Sequence, residues 1–260
     1  MIPSSIRKIW AIIINTFREA VRDRILYAIV FFAVIILLLS MIMDVITIGQ
    51  RAKIIIDTGL ASISIFGTLI AIFVGIGLVY KEIDKRTIYT IVSKPVARWQ
   101  FLLGKYFGLV LTLLVEVAAM SAIFFIIVIN ELGTVPPLLF LAVGLTFIEL
   151  MIVCAVAILF SSFSTPILSG MYTLGVYLIG HLTRSLYQFS FRFEGTFLQK
   201  LMLFLYYFFP NLDNFNIRSQ AVHGLPVDTS YILFAVGYGI MYITVLLVVS
   251  SYIFSRRDFR

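Results

Sequence analysis

Two acidic residues, Glu116 and Glu149, stand within stretches that are otherwise built of apolar side chains. An ionised carboxylate is costly in hydrocarbon, so a carboxyl group in such a place is a default candidate for function. The two could share a proton, pair with a substrate cation or line a polar path. Equally, each could stay protonated and hydrogen-bond a neighbouring helix. Counted at 1.5 Å per residue, Glu116 lies ~14 Å from the N-terminal end of its stretch and Glu149 ~16 Å from the C-terminal end of the next. Consecutive antiparallel helices therefore hold them at matched depth. His181, one turn before Arg184, reads as the far end of a later stretch rather than as a ligand.

Other chemistry finds little support. There is no nucleophile elbow and no H-E-x-x-H. His181 and His223 are the two histidines, and neither adjoins an intramembrane serine or carboxylate in sequence. The single cysteine, Cys154, excludes an intrachain disulfide and a cysteine-based metal cluster, and the eight methionines are scattered singly where a soft-metal site would want them clustered. No catalytic residue and no metal ligand is assigned, so an enzyme is the weakest of the functional classes.

The elements that position these residues follow from hydropathy. Of 260 residues 61% are hydrophobic and 13% charged, and the mean hydropathy is +1.06. Soluble chains carry about 25% charged residues, so too little charge is present to coat a water-facing surface. Six apolar stretches have the length of membrane-crossing helices: 25–43, 59–80, 107–129, 138–160, 167–183 and 231–254. The expected fold is therefore an all-α membrane protein of six transmembrane helices, residues 25–260 forming one six-span domain behind an N-terminal segment 1–24. Of 20 basic and 13 acidic residues, only Glu116 and Glu149 lie inside the six stretches.

Lys and Arg number 14 in 1–24, 81–106, 161–166 and 255–260, against six in 44–58, 130–137 and 184–230. The positive-inside rule then places both termini in the cytoplasm. The net charge of +7 reflects this asymmetry and calls for no nucleic acid. The apolar run 196–209 has 14 residues, carries Lys200 and stops at Pro210, so it reads as a short interfacial or re-entrant helix within the outer loop 184–230. Just before it, Tyr187, Phe189, Phe191 and Phe193 alternate with polar residues, which fits an extended segment or the end of a helix in an aromatic belt. No small-residue cleavage site follows the first stretch before Asp44, so that span is expected to be retained.

Two amphipathic segments flank the inner face. In 1–24, Ile6, Ile9, Trp10, Ile13, Phe17, Ala20 and Val21 recur at steps of three and four, opposite Arg7, Lys8, Arg18 and Arg22. This spacing predicts a helix lying in the membrane interface. The loop 81–106 places Ile83, Thr87, Ile88, Ile91 and Val92 at helical spacing before Pro95, among many charges. It is too long and too patterned for a connector and suits docking of a partner.

Here the sequence becomes specific. Ser93-Lys94-Pro95, Arg98 and Gly104-Lys105, then Phe209-Pro210-Asn211-Leu212-Asp213-Asn214-Phe215, then Phe254-Ser-Arg-Arg-Asp-Phe259, taken in order, resemble type-2 ATP-binding-cassette (ABC) exporter permeases. The pattern is most similar to the subgroup that includes nitrous oxide reductase maturation permeases, with Arg86-Thr87 standing where those would have Gly-Thr. The resemblance spans essentially the whole chain. It implies a permease subunit in the inner membrane of a prokaryote, with a separate ABC ATPase that holds ATP and magnesium. It also implies a coupling element at Glu82, Ile83, Arg86, Thr87, Ile88, Ile91, Ser93, Lys94, Pro95 and Arg98. The interfacial helix with Ile6, Trp10, Ile13, Phe17, Arg18 and Arg22, and the outer re-entrant segment with Phe209, Pro210, Asn211 and Asp213, complete the frame. This chain has no G-x-x-x-x-G-K-[ST], and Gly104-Lys105 lacks the upstream glycine, so it holds no cofactor of its own.

Small residues Gly67, Ala71 and Gly75, and Gly170, Gly175 and Gly180, mark faces where helices approach closely. They suit packing within one chain or against a second permease copy, identical or related. The competing class is an ion-coupled secondary transporter or channel that uses Glu116 and Glu149, although no inverted repeat relates the two halves.

Overall fold

The computed structural model describes residues 4–22, 24–40, 51–84 and 97–256. Among these residues the regular structure is helical throughout, with helices α1 (Ser4–Val21), α2 (Arg24–Ser40), α3 (Arg51–Asp84), α4 (Arg98–Leu132), α5 (Pro137–Ser161), α6 (Pro166–Ser190), α7 (Phe197–Phe208), α8 (Arg218–His223) and α9 (Thr229–Arg256). Short 3-10 turns at Phe191–Phe193 and Leu212–Phe215 lie on either side of α7.

Local chemistry explains several boundaries. Gly133 takes the left-handed conformation, φ 74°, and its N–H returns to the Ile129 carbonyl, which closes α4. Pro137 and Pro166 occupy first-turn positions of α5 and α6, where a missing N–H costs nothing. At the start of α7 the Thr196 hydroxyl accepts from the Gln199 N–H, and the Gln199 side chain accepts from the Gly195 N–H.

Four helices are long and apolar enough to cross a membrane: Arg51–Gly77 of α3, α4, α5 and α9. They coincide with the expected second, third, fourth and sixth spans. The most apolar windows of α3 and α5 are 61% and 56% buried and that of α9 only 22%, so α3 and α5 form the centre while α9 turns most of its surface outward. Leu233, Phe234, Met241 and Val248 on that surface are large, apolar and exposed, as lipid contact requires. The expected first span corresponds to α2, and the fifth to part of α6.

The helices outrun the apolar stretches. Residues 51–58 and 98–106, expected in loops, are helical, as are 184–190. Ion pairs hold these polar extensions: Arg51 with Glu131 at 3.2 Å, and Lys105 with Glu19 at 3.5 Å. The alternating segment around Tyr187 is the end of α6 followed by a 3-10 turn, not a strand. Among the described residues it has no second strand to satisfy its backbone, whereas continuing the helix does so internally. Of the coupling element, Arg86, Thr87, Ile88, Ile91, Ser93, Lys94 and Pro95 lie outside the described residues. Glu82 and Ile83 fall in the last turn of α3, with side chains outside the described set.

The glycine stripe of α3 serves packing within the chain. A Cβ at Gly67 would lie 2.5 Å from the Leu150 side chain, and one at Gly75 would lie 2.9 Å from Ala157, both on α5.

Candidate functional site

The end of the bundle where α4 begins is built from α1, α4 and α9. At ~100° per residue, α1 divides into three sectors. Arg18 and Arg22 are exposed on the polar side, Ile6 and Trp10 are exposed apolar residues, and Thr16 and Ala20 are buried. Ile13 and Phe17 are half-buried between them. The buried sector lies on α4, where Gly104 and Gly108 give it room: a Cβ would meet Ile12 at 2.7 Å and Thr16 at 2.6 Å. Lys105, between these glycines, is buried with its ammonium against Glu19. Gly104-Lys105 thus binds α1 to the bundle. The sequence pattern showed an apolar stripe on α1 but not that the helix uses a second face to dock.

Arg98 occupies the same end. Its guanidinium donates to the carbonyls of Phe254, at 3.1 Å, and Ser255, at 2.9 Å, covering the C-terminus of α9. Positive charge there complements the helix dipole and satisfies carbonyls that have no intrahelical partner. Phe101 stacks on Phe254 at 5.9 Å beside this contact. The residue that closes the expected coupling element is therefore tied to the last helix. A cavity of about 500 Å³ lies alongside, lined by Arg98, Trp99, Val248, Ser251, Tyr252 and Ser255.

Deeper in the bundle the two carboxyl groups part company. Glu116 on α4 is buried, and neither carboxyl oxygen has a hydrogen-bond partner among the described residues. Glu149 on α5 is bonded instead to His181 of α6, Oε1 to Nε2 at 2.9 Å. The two glutamates are thus not bonded to each other, and His181 is a partner of Glu149 rather than a marker of the helix end. Tyr177, one turn earlier, sets its ring edge-on to the imidazole at 4.6 Å. Hydropathy could not show this pairing, because it depends on the rotation of α6 about its axis.

The far end carries the segment after α7. Pro210, Leu212, Phe215 and Ile217 are buried, and Phe209 is half-buried. Gly180 lets this segment approach α6, since a Cβ there would come within 2.8 Å of the Pro210 carbonyl. The Asn211 N–H donates to the Tyr238 hydroxyl at 2.9 Å, and the Thr183 hydroxyl donates to the Asn211 side chain at 3.0 Å. Asp213 pairs with Arg184 at 3.6 Å. The sequence did not single out Arg218 and Asp57. They form a two-point bridge, with Nε at 2.5 Å and Nη2 at 2.6 Å from the two carboxylate oxygens, between α8 and α3. A cavity of about 630 Å³ opens beside it, lined by Lys53, Asp57, Arg184, Asp213, Arg218 and His223 among others.

Among the described residues no cluster of His, Cys, Asp and Glu could hold a metal ion. The arrangement is that of a membrane bundle with a polar cavity at one end and a buried glutamate bonded to a half-buried histidine. No curated protein matches the chain. Residues 10–259 match the family described as ABC-2 family transporter protein. With nearly its whole length matched and four helices able to cross a membrane, the chain belongs to the ABC-2 family, as a membrane subunit of an ABC transporter distinct from its ATPase.

Proposed function

We propose that this protein is the permease half of an ATP-driven exporter in the cytoplasmic membrane of a prokaryote. It works with separate ATPase subunits that bind ATP and magnesium, and with a second permease copy. The family match over residues 10–259 carries this reading. In it α2, α3, α4, α5, α6 and α9 are the six spans, both termini are cytoplasmic, and the Arg98 end is the cytoplasmic end. The pattern of Phe209 to Phe215 and of Phe254 to Phe259 favours the nitrous oxide reductase maturation subgroup.

Force reaches the bundle through residues 82–95. That segment joins α3 to α4, and α4 is tied at Lys105 to α1 and at Arg98 to α9. A displacement of the segment by the ATPase therefore acts on α3 and α4 directly and on α1 and α9 through α4. The test is affinity purification of the tagged chain from native membranes, with the co-purifying ATPase identified by mass spectrometry. Changing Ile83, Ile88 and Ile91 together to Asp should abolish association, and undiminished association would remove the coupling role.

A second reading, an ion-coupled transporter, draws on the buried Glu149–His181 contact. Transport that continues without ATP hydrolysis would favour it over the first.

A further inference from the structure

The cavity at the Arg218 end does not stop at the surface. A second, smaller cavity of about 50 Å³ lies deeper and is lined by Ser64, Thr146, Glu149, Asn216, Ile217 and Arg218 among others. Asn216 and Arg218 line both cavities and so stand between them. The smaller volume has room for a few waters, since one water needs roughly 10–15 Å³ measured this way, and Ser64, Thr146, Glu149 and Asn216 would give them partners. The Asp57–Arg218 bridge stands between the cavities, with both side chains partly exposed.

Glu149 therefore has two kinds of neighbour. On one side His181 bonds its Oε1, and on the other the residue borders the small cavity. Its side chain is only 2% exposed, so the small cavity is the open space it borders directly, while its partner His181 is 24% exposed.

We propose that the Glu149–His181 pair is a proton-binding site filled from the Arg218 end, through the larger cavity and the water-sized cavity behind the Asp57–Arg218 bridge. One proton is held between Glu149 Oε1 and His181 Nε2. When it leaves to cavity water, the pair loses one positive charge, and the carboxylate left on Glu149 shares the small cavity with the Arg218 guanidinium. The other titratable groups on the surrounding elements are already engaged or set apart. Tyr177 is against the imidazole, and Asp213 is paired with Arg184. The Tyr106 hydroxyl of α4 donates to the Met151 carbonyl, and the Tyr238 hydroxyl of α9 accepts from Asn211. Cys154 is buried on α5, and Glu116 makes no bond to the pair. Proton binding here does not depend on the exporter reading, because it concerns the permease chain alone.

The test is infrared spectroscopy of the full-length chain in lipid nanodiscs, titrated with pH and then transferred to D₂O. A protonated-carboxyl band that titrates with pH should disappear in Glu149→Gln, shift in His181→Gln and persist in Glu116→Gln. Its deuterium exchange should lose its fast phase in Thr146→Phe, which fills the small cavity, and should accelerate in Asp57→Ala, which releases the bridge. No titrating band lost in Glu149→Gln would overturn the site. A Glu149 band whose exchange responds to neither Thr146→Phe nor Asp57→Ala would overturn the route. Loss of ATPase association would leave all of these readings unchanged.

Discussion

The Lys105 ammonium lies 3.5 Å from the Glu19 carboxylate, and it is the lysine that is enclosed, 2% exposed against 35% for its partner. Removing the partner from a buried charge costs more than removing the charge itself. Glu19→Ala is expected to destabilise the chain by about 1–3 kcal/mol, less than the roughly 3–5 kcal/mol of a fully buried pair because Glu19 is partly solvated. Lys105→Met, which keeps the apolar stem, should cost less. Thermal unfolding midpoints in detergent would show the order.

Gly108 predicts how α1 can be dislodged. A Cβ there would sit 2.6 Å from Thr16 and 2.9 Å from the Ile13 carbonyl, the latter being backbone that cannot rotate away. Gly108→Val should cost about 1–3 kcal/mol by overpacking. It should also raise the thiol labelling rate of a Thr16→Cys probe in a Cys154→Ala background. Gly144→Ala, with nothing within 4 Å, is the control and should leave labelling unchanged.

Arg98 makes a prediction about the last helix. Without its two bonds the Phe254 and Ser255 carbonyls lose a charged donor. Arg98→Ala should weaken the end of α9 by about 1–2 kcal/mol, and Arg98→Lys should recover part of that, since both bonds come from one nitrogen, Nη1, and an ammonium also carries several donors on one atom. Faster hydrogen exchange confined to residues 250–256 is the expected signature.

The two intramembrane glutamates should respond in opposite ways. Glu116 has no hydrogen-bond partner among the described residues, so Glu116→Leu is expected to be neutral or stabilising. Glu149→Leu leaves His181 without its hydrogen-bond partner and should cost about 1–3 kcal/mol. Equal losses of stability in the two variants would contradict the difference in bonding.

Much of the fold was legible because hydropathy and helix punctuation are written along the chain. The apolar stretch 107–129 and the helix Arg98–Leu132 share a core and differ at the ends, where charged residues continue a helix that hydropathy cannot see. The short helix ending before Pro210 was legible for the same local reasons. The site was less so. Glu116 and Glu149 looked alike as carboxyl groups at matched depth, and Arg98 and Lys105 looked like two basic residues of one loop.

By itself, the sequence determined the solvent, the all-helical class with the cores of four long apolar helices, and the family, because each depends on composition or on motifs read in order. The tertiary structure alone decided which polar groups meet. His181 reaches Glu149 across 32 residues of chain and Arg218 reaches Asp57 across 161. The physical reason is that a polar side chain in a helix bundle finds its partner through the rotation and approach of whole helices. Those are set by contacts such as Gly67 on Leu150 and Gly108 on Thr16, which no local pattern along the chain contains.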